Sequence, residues 1–269
     1  MSQIRVNNIT NRTGITGPTV AGIASVSSSS HFVVPTGRTG QRYADDGENI
    51  VRDGLVLYLD AKYSYPGASG TNPDVYTWYD MSGNENHGEL KNGVGYSPVG
   101  GGSLVFDGID DYVNLPYTLL SGADNFSVSI WLQSSSSNNG GTLFGNYPAG
   151  NLQLFYGTNY IGMWLDNSST YLGTSPWSTT LPEFTTNFTQ IVALRKNTRD
   201  TEFYINGVLV KTGISLSSIG SVNNFRIGTN TDGNERYIGK IAQVSMYKRA
   251  LSAQEVLQNY NATKSRYGL

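Results

Sequence analysis

Three carboxylates fall within five consecutive residues of the chain, at Asp107, Asp110 and Asp111. Hard cations such as Ca²⁺ are bound by several oxygen ligands, mainly from carboxylates and backbone carbonyls. The spacing therefore gives a candidate calcium site. A second interpretation stays open, because Asp107-Gly108 is a turn signal. An aspartate in a turn can use its carboxylate to bond nearby backbone N–H groups instead.

A second group of candidate residues is aromatic and lies in the Asn- and Gly-rich middle third of the chain. Sugar rings stack on aromatic side chains, while Asn amides bond sugar hydroxyls. Most aromatic side chains of a β-sandwich are nevertheless in its core or at an interface. The candidates for ligand binding are Tyr160 and Trp177, which have the most loop-like surroundings, followed by Tyr147 and Tyr171.

The chain lacks the residue patterns of common enzyme classes. Its two histidines are His31 and His87, and it has no Gly-x-Ser-x-Gly elbow and no phosphate-binding Gly-Lys-Ser/Thr loop. Glycoside hydrolases need two carboxylates that flank the scissile bond, and we expect no strand to present two on one face. We therefore predict a protein that is not an enzyme, with His87 bonding local backbone in a turn.

The composition indicates a turn-rich β protein. Of 269 residues, 14% are charged, 32 are glycine and none is cysteine, and the net charge is −2. This composition excludes a disulfide framework and lacks the basic surface of a nucleic-acid binder. No apolar run reaches the ~18 residues of a membrane span, and no apolar signal segment follows Met1. We predict neither nucleic-acid binding nor membrane insertion.

Short strands at regular spacing must position these residues, and this pattern is typical of a sandwich or barrel. Asn206-Gly207 between apolar runs predicts a hairpin with a type I′ turn. Trp131 falls on the polar face of its strand, so we expect a second layer to cover it. The predicted strands are Leu55–Leu59, Ser103–Phe106, Tyr112–Leu115, Phe126–Gln133, Thr142–Gly145, Leu152–Tyr156, Ile161–Leu165, Thr189–Arg195, the Glu202–Lys211 hairpin, Phe225–Gly228 and Ile241–Lys248.

One short C-terminal helix is predicted. Ser252 and Glu255 have the spacing of a capping box, and Leu251 and Val256 have that of a hydrophobic staple. Val256, Leu257 and Tyr260 should form its apolar stripe, and the helix should end near Thr263.

Residues 1–45 differ in character from residues 46–269. The first segment is poor in aromatics and contains the serine run Ser27 to Ser30. It cannot bury enough apolar area to fold alone. Either it is a flexible tail, or it is an extended arm that becomes ordered by adding strands to a partner. Residues 43–53 should form a hinge before the predicted sandwich, residues 46–269.

Six segments resemble motifs of laminin G-like domains in the concanavalin A-like lectin/glucanase superfamily. This resemblance implies an all-β jelly-roll sandwich of two antiparallel sheets, and binding or structural work more often than catalysis. Related domains often hold structural calcium near sheet edges, and the glucanases carry a Glu-x-Asp-x-x-Glu-like strand that has no counterpart here. The segments are Gly54–Ala61, Thr77–Gly88, Leu104–Val113, Phe126–Trp131, Phe203–Val208 and Tyr237–Glu255.

The segment Ile4–Gly14, followed by Gly17–Gly22, resembles the N-terminal part of virion structural proteins from marine tailed phages. This resemblance implies a fiber or capsid decoration subunit on the exposed surface of the virion. Residues 1–45 would join other virion proteins and copies of itself, as in a homo-oligomer such as a trimer, and the sandwich would bind host-surface glycans. A purely structural capsid or tail protein without a ligand is the alternative, and a glycoside hydrolase comes a distant third.

Overall fold

The computed structural model describes residues 49–64, 76–116, 119–120, 123–135, 141–146, 152–157, 160–165, 187–197, 199–214 and 225–269. Within these ranges it contains two α-helices, α1 (Ala61–Ser64) and α2 (Ala253–Thr263), and two 3₁₀ helices, at Val99–Gly101 and Lys264–Tyr267. Its strands are β1 Leu55–Asp60, β2 Thr77–Trp78, β3 Gly88–Lys91, β4 Gly95–Ser97, β5 Ser103–Asp107, β6 Tyr112–Asn114, β7 Phe126–Ser134, β8 Gly141–Gly145, β9 Leu152–Gly157, β10 Tyr160–Leu165, β11 Thr189–Lys196, β12 Asp200–Ile205, β13 Val208–Ile214, β14 Arg226–Ile227 and β15 Ile238–Tyr247.

The strands form two antiparallel sheets. Sheet 1 has the order β13-β12-β11-β7-β15-β5-β4, and β1 also pairs with β15. Sheet 2 has the order β10-β9-β8-β14-β6-β3-β2. The predicted jelly-roll sandwich, with one short C-terminal helix, is confirmed. The predicted arm, residues 1–45, lies outside the described residues.

The main core lies between the two sheets. Alternate residues of each strand point inward, as a period of two requires. Sheet 1 contributes Leu57, Ile130 and Val244, and sheet 2 contributes Val113 and Ile227, each exposed by no more than 1%. Each such side chain stabilises the fold by about 1.5–3 kcal/mol relative to an exposed one.

The outer face of sheet 1 is also covered, as the position of Trp131 predicted. The Trp131 ring is fully buried and stacks on Tyr260 and Tyr267, at centroid distances of 5.8 and 4.2 Å. Its indole N–H donates to Thr263 Oγ1 at 2.9 Å. The C-terminal segment is therefore the second layer over this sheet.

The start of α2 is as predicted, and its apolar stripe is confirmed for Val256 and Tyr260, which are buried or packed on Trp131, but not for Leu257. The Ser252 side chain and Glu255 form the capping box, and the helix ends at Thr263. Leu257, predicted to be in the stripe, is 45% exposed. The buried positions are Val256, Asn259 and Thr263, because Asn259 meets buried backbone rather than solvent. No helix among the described residues is long and apolar enough to cross a membrane.

Two residues of the predicted hinge, Ile50 and Val51, are packed against α2. Ile50 and Val51 are 6% and 7% exposed, in a second apolar cluster with Tyr247 and Val256. Val51 N–H donates to Asn259 Oδ1 at 2.8 Å, and the Tyr247 hydroxyl donates to the Val51 carbonyl at 3.0 Å. The prediction of a hinge is therefore wrong for residues 50 and 51, since their two apolar side chains are needed under the helix.

The Asn206-Gly207 hairpin is confirmed. Both residues have positive φ, 50° and 78°, and they join β12 to β13. This is the backbone that a type I′ turn requires. Strands β2, β3 and β4 were not predicted, because two to four residues are too few to show an alternating pattern.

The loop from Asp80 to His87 is held by one carboxylate. Asp80 accepts hydrogen bonds from the backbone N–H groups of Tyr58, Ser82 and Asn86 at 2.8 to 3.0 Å. The Asp80 N–H donates to His87 Nδ1 at 3.0 Å, so the predicted structural role of His87 is confirmed. This network ties the loop to β1.

A buried ion pair attaches the C-terminal 3₁₀ helix to β1. Arg266 Nη1 lies 2.7 and 2.6 Å from the two carboxylate oxygens of Asp60, and the side chains are only 7% and 0% exposed. Arg266 also donates to the carbonyls of Gly100 and Gly102. The pair therefore joins three distant parts of the chain.

We predict that Arg266→Ala lowers the free energy of unfolding by about 3 kcal/mol. The reason is that removing one member of a buried pair leaves the other charge buried and uncompensated. Urea denaturation followed by tryptophan fluorescence measures this loss. Arg236→Ala, at an exposed arginine, is the matched control and should change stability by less than ~0.5 kcal/mol. A similar small effect of Arg266→Ala would contradict the assigned role.

Candidate functional site

The acidic turn connects the two sheets, because β5 belongs to sheet 1 and β6 to sheet 2. One carboxylate oxygen from each of Asp107, Asp110 and Asp111 lies within 4.8 Å of the others. Asp107 and Asp110 are exposed, whereas Asp111 is only 5% exposed. The structure thus brings together all three residues that the sequence suggested.

Asp111 distinguishes the two interpretations of this turn. Asp107 Oδ1 accepts the Ile109 N–H at 2.7 Å, and Asp111 Oδ2 accepts the Asp107 N–H at 3.0 Å, so turn capping does occur. Asp111 Oδ1, however, is buried and has no hydrogen-bond partner. Burial raises the pKa of Asp111, and the negative charges of Asp107 and Asp110 raise it further. A cation beside this oxygen would relieve both effects, so the residues fit a hard metal ion.

A cleft of about 430 Å³ adjoins the acidic turn. Two of its lining residues reach the turn directly. The Asn92 side chain donates to the Asp110 carbonyl at 2.9 Å, and a Cβ on Gly93 would lie 3.9 Å from Asp111 Oδ1. The cleft is lined by Tyr76, Glu89, Leu90, Lys91, Asn92, Gly93 and Val94.

Strands β2 and β3 position the polar groups of the cleft. Leu90 points into the core, so alternation directs Glu89 and Lys91 outward, where they form an ion pair. The Tyr76 carbonyl accepts the Leu90 N–H at 2.6 Å, while 67% of Tyr76 is exposed. An aromatic ring, an amide, a carboxylate and an ammonium group thus line one concave site.

The outer face of sheet 2 continues from this cleft. Glu89 is in register with Asn114 of β6, and Asn114 is in register with Arg226 of β14. Tyr112 and Asn114 flank the buried Val113, so both face outward and both are half-buried. A row of polar side chains therefore runs across β3, β6 and β14.

Of the four predicted aromatic ligand residues, Tyr147, Tyr171 and Trp177 lie outside the described residues. Tyr160 is the first residue of β10, in register with Gly157. Met163 of the same strand is in the core, so alternation assigns positions 160 and 162 to the outer face of sheet 2. The backbone thus places position 160 on the same face as the Asn114–Arg226 row.

The sequence did not identify Tyr76, Asn92 or Arg226 as site residues. Tyr76 and Asn92 lie beside strands too short to be recognised. Arg226 lies in the predicted strand Phe225–Gly228, but the sequence does not show that this strand pairs with β6. The Asn92-Gly93 dipeptide was a usable signal, because Asn-Gly marks a turn.

We expected no strand to present two carboxylates on one face, and this expectation is wrong. Strand β12 carries Asp200 and Glu202 two residues apart, and therefore on one face. Glu202 is occupied by contacts of its own, an ion pair with Lys196 and a hydrogen bond from the Tyr204 hydroxyl at 2.7 Å. Burial, followed by the contact with Glu202, raises the pKa of Tyr204. These contacts give Glu202 a structural role, because its carboxylate holds the Lys196 and Tyr204 side chains in place.

The described residues thus form a two-sheet antiparallel jelly roll with a polar outer face and an adjoining cleft. The laminin G family model described as the concanavalin A-like lectin/glucanases superfamily matches residues 107–257. The match covers more than half of the chain, which therefore belongs to this superfamily. No curated protein sequence matches the chain significantly.

Solved structures with the same fold include binding domains of two other proteins. The receptor binding domain of botulinum neurotoxin C/D mosaic serotype is 18% identical, with a TM-score of 0.61 over 78% of this chain. The binding domain of Paraclostridial Mosquitocidal Protein 1 is 17% identical, with a TM-score of 0.62 over 78% of this chain. In both cases the match spans 52% of the toxin domain, about half its length.

Domain 4 of AbnA, a GH43 extracellular arabinanase from Geobacillus stearothermophilus, was solved in complex with arabinotriose. It is 21% identical, with a TM-score of 0.59, and the match covers 77% of this chain and 98% of that domain. These identities establish a common fold.

Proposed function

We propose that the sandwich is a non-catalytic glycan-binding module, and that the cleft and the outer face of sheet 2 form its binding surface. The observation that carries the proposal is the exposed Tyr76 ring in a cleft that also presents Glu89, Lys91 and Asn92. An aromatic face stacks on a sugar ring, and the polar groups bond its hydroxyls. Concave sites with a few converging polar groups are where small ligands usually bind.

Two further observations support this proposal. Domain 4 of AbnA was solved in complex with arabinotriose, and the similar domains of the two toxins are a receptor binding domain and a binding domain. Position 160 lies on the same face of sheet 2, so Tyr160 would extend the surface, and Tyr147, Tyr171 and Trp177 remain predicted contributors. Binding without catalysis is favoured because Glu89, the carboxylate among the residues that line the cleft, is paired with Lys91, whereas a hydrolase needs two carboxylates that flank the scissile bond.

We propose further that the acidic turn binds Ca²⁺ as a structural ion. Asp107, Asp110 and Asp111 would supply carboxylate oxygens, and the unpaired Asp111 Oδ1 supports a cation more than turn capping does. The ion would fix the turn to which Asn92 bonds, and so fix one wall of the cleft.

For the whole chain we propose a fiber or decoration subunit on the exposed surface of a phage virion. The support is the resemblance of the N-terminal segment to virion structural proteins of marine tailed phages. Residues 1–45 would attach the protein to other virion proteins and to copies of itself, as a trimer for example, while the sandwich meets the host surface. A purely structural capsid or tail protein without a ligand is the second candidate.

We predict that the full chain binds one or more oligosaccharides on a glycan array, and that Tyr76→Ala weakens this binding at least about tenfold. Truncation of a central aromatic contact typically has this cost. Val99→Ala, at an apolar residue that is 51% exposed in a turn outside the cleft, is the control and should leave binding unchanged. An array without any bound glycan would favour the purely structural alternative.

For the acidic turn we predict a loss of stability with rising pH in chelator, and a gain in stability on adding calcium. In chelator, the raised pKa of Asp111 means that the folded state binds its proton more tightly than the unfolded state. Stability should therefore fall as the pH rises from the ordinary value of 3.8 through the raised pKa. Ca²⁺ at about 100 times its Kd should add about 2.7 kcal/mol at neutral pH.

Thermal melting with Asp111→Asn tests this proposal. The amide can still accept the Asp107 N–H, so the variant should lose both the pH trend and the calcium effect while staying folded. Asp232→Asn, at an exposed aspartate in another loop, should retain both. An unchanged melting temperature of the wild-type protein on adding Ca²⁺ would rule out a stabilising site.

For the arm we predict that deletion of residues 1–43 leaves a folded sandwich that no longer joins virions. Many weak attachments by arms would suffice on a particle, because multivalency raises the effective concentration. Quantitative mass spectrometry of purified particles measures the occupancy. Full occupancy by the truncated protein would mean that attachment resides in the sandwich.

A further inference from the structure

Arg226 occupies a central position on the outer face of sheet 2. Its strand, β14, lies between β6 and β8, with Arg226 in register with Asn114 on one side and Gly145 on the other. Ile227, its neighbour in the strand, is fully buried in the core. The Arg226 side chain is therefore directed outward, and it is half-buried.

The guanidinium group is held in place without a negative partner among the described residues. Its central carbon lies 4.4 Å from the centroid of the Tyr112 ring, and Nη1 donates to the Asn230 carbonyl at 3.2 Å. Nε is buried and has no hydrogen-bond partner. A half-buried guanidinium group without a carboxylate partner among the described residues can take an anionic ligand on its exposed side.

The loop that holds Arg226 is itself well ordered by hydrogen bonds. Asn230 is 2% exposed, and its Oδ1 accepts the Asn234 N–H at 2.9 Å. Thr231 Oγ1 donates to the Asn146 carbonyl at 3.4 Å, which joins the loop to the end of β8. The guanidinium is thus oriented before any ligand arrives, which lowers the entropic cost of binding.

The groups beside Arg226 suit a sugar that carries a negative charge. The Asn114 amide and the Tyr112 hydroxyl make no hydrogen bond within the described part of the chain, and both face the same side as Arg226. Glu89 lies two strands away, roughly 10 Å at the usual strand spacing, and is paired with Lys91. The Glu235 carboxylate, in the loop after Asn230, accepts hydrogen bonds from Thr142 and Gln153 and forms no ion pair with Arg226 in the described part of the chain. The positive charge of Arg226 is therefore not neutralised locally.

We infer that the outer face of sheet 2 selects carboxylated sugars, with Arg226 binding the carboxylate and Asn114 and Tyr112 bonding neighbouring hydroxyls. A guanidinium group offers paired N–H donors that match the two oxygens of a carboxylate. The inference rests on the proposed glycan-binding function and adds the class of ligand to it.

The experiment compares two pairs of probes that differ mainly in the carboxylate. These are tetragalacturonate with its full methyl ester, and sialyllactose with lactose, each titrated into the full chain by calorimetry. We expect at least one acidic probe to bind ten or more times more tightly than its neutral partner. Arg226→Gln should reduce this preference to about one, and Arg226→Lys should leave an intermediate value. Arg236→Gln, which removes an exposed arginine, should keep the full preference.

Three outcomes separate the two proposals. If acidic and neutral probes bind equally, or if Arg226→Gln retains the preference, the inference is overturned while glycan binding stands. If neither these probes nor a neutral glycan array gives binding, the proposed function itself fails. Should Arg226→Gln not fold, the Nε–H resonance of Arg226, identified by its absence in Arg226→Lys, must shift on titration with the acidic probe. An unshifted resonance under saturating probe would equally overturn the inference.

Discussion

The buried ion pair between Asp60 and Arg266 is the constraint on which the two faces of the sandwich depend. It ties the 3₁₀ helix at Lys264–Tyr267 to β1, and so holds Tyr267 against Trp131. Together with α2, this segment covers the outer face of sheet 1 with apolar and aromatic side chains. Trp131 and its neighbours on the outer face of sheet 1 are therefore buried, whereas Gln133, Lys240 and Glu202 of the same sheet stay partly exposed. In the described residues, a row of half-buried polar side chains crosses the outer face of sheet 2 and adjoins the cleft. We therefore assign the proposed binding surface to sheet 2.

The acidic turn is joined directly to that surface, because the turn leads into β6 of sheet 2. Because β5 and β6 belong to different sheets, the chain must cross the sandwich between Asp107 and Tyr112. The crossing buries Asp111 next to Gly93, at the end of the cleft. A site for a cation and a site for a sugar thus share one short segment, so that an ion at the turn would stabilise a wall of the cleft.

Features set by neighbouring residues could be predicted from the sequence. The Asn206-Gly207 turn needs positive φ at two adjacent positions, and the Ser252–Glu255 capping box needs only a spacing of three. The position of Trp131 on a polar strand face also predicted a covering layer, because a large aromatic ring is rarely left in solvent. The three aspartates were found for the same reason, since they fall within five residues of one another.

Features set by distant pairing could not be predicted. Tyr76, Asn92 and Arg226 are far apart in sequence and come together only through the order β14-β6-β3-β2. Leu257 was assigned to the buried stripe because its type is apolar, but the position is exposed, and Asn259 is buried through its bonds to Val51 and Tyr247. The spacing of apolar residues cannot reveal that this amide is buried, because its partners Val51 and Tyr247 lie 208 and 12 residues before it in the chain.

The most direct test of the account is where a sugar binds on the full chain. Amide chemical shifts of the ¹⁵N-labelled protein, recorded during titration with a glycan that it binds, give this location residue by residue. The account predicts that the largest shifts fall on β3, β6 and β14 and on the Asn92–Gly93 turn, with little change in α2 or at Trp131. Shifts concentrated on α2 and the outer face of sheet 1, with none on β6 or β14, would contradict it.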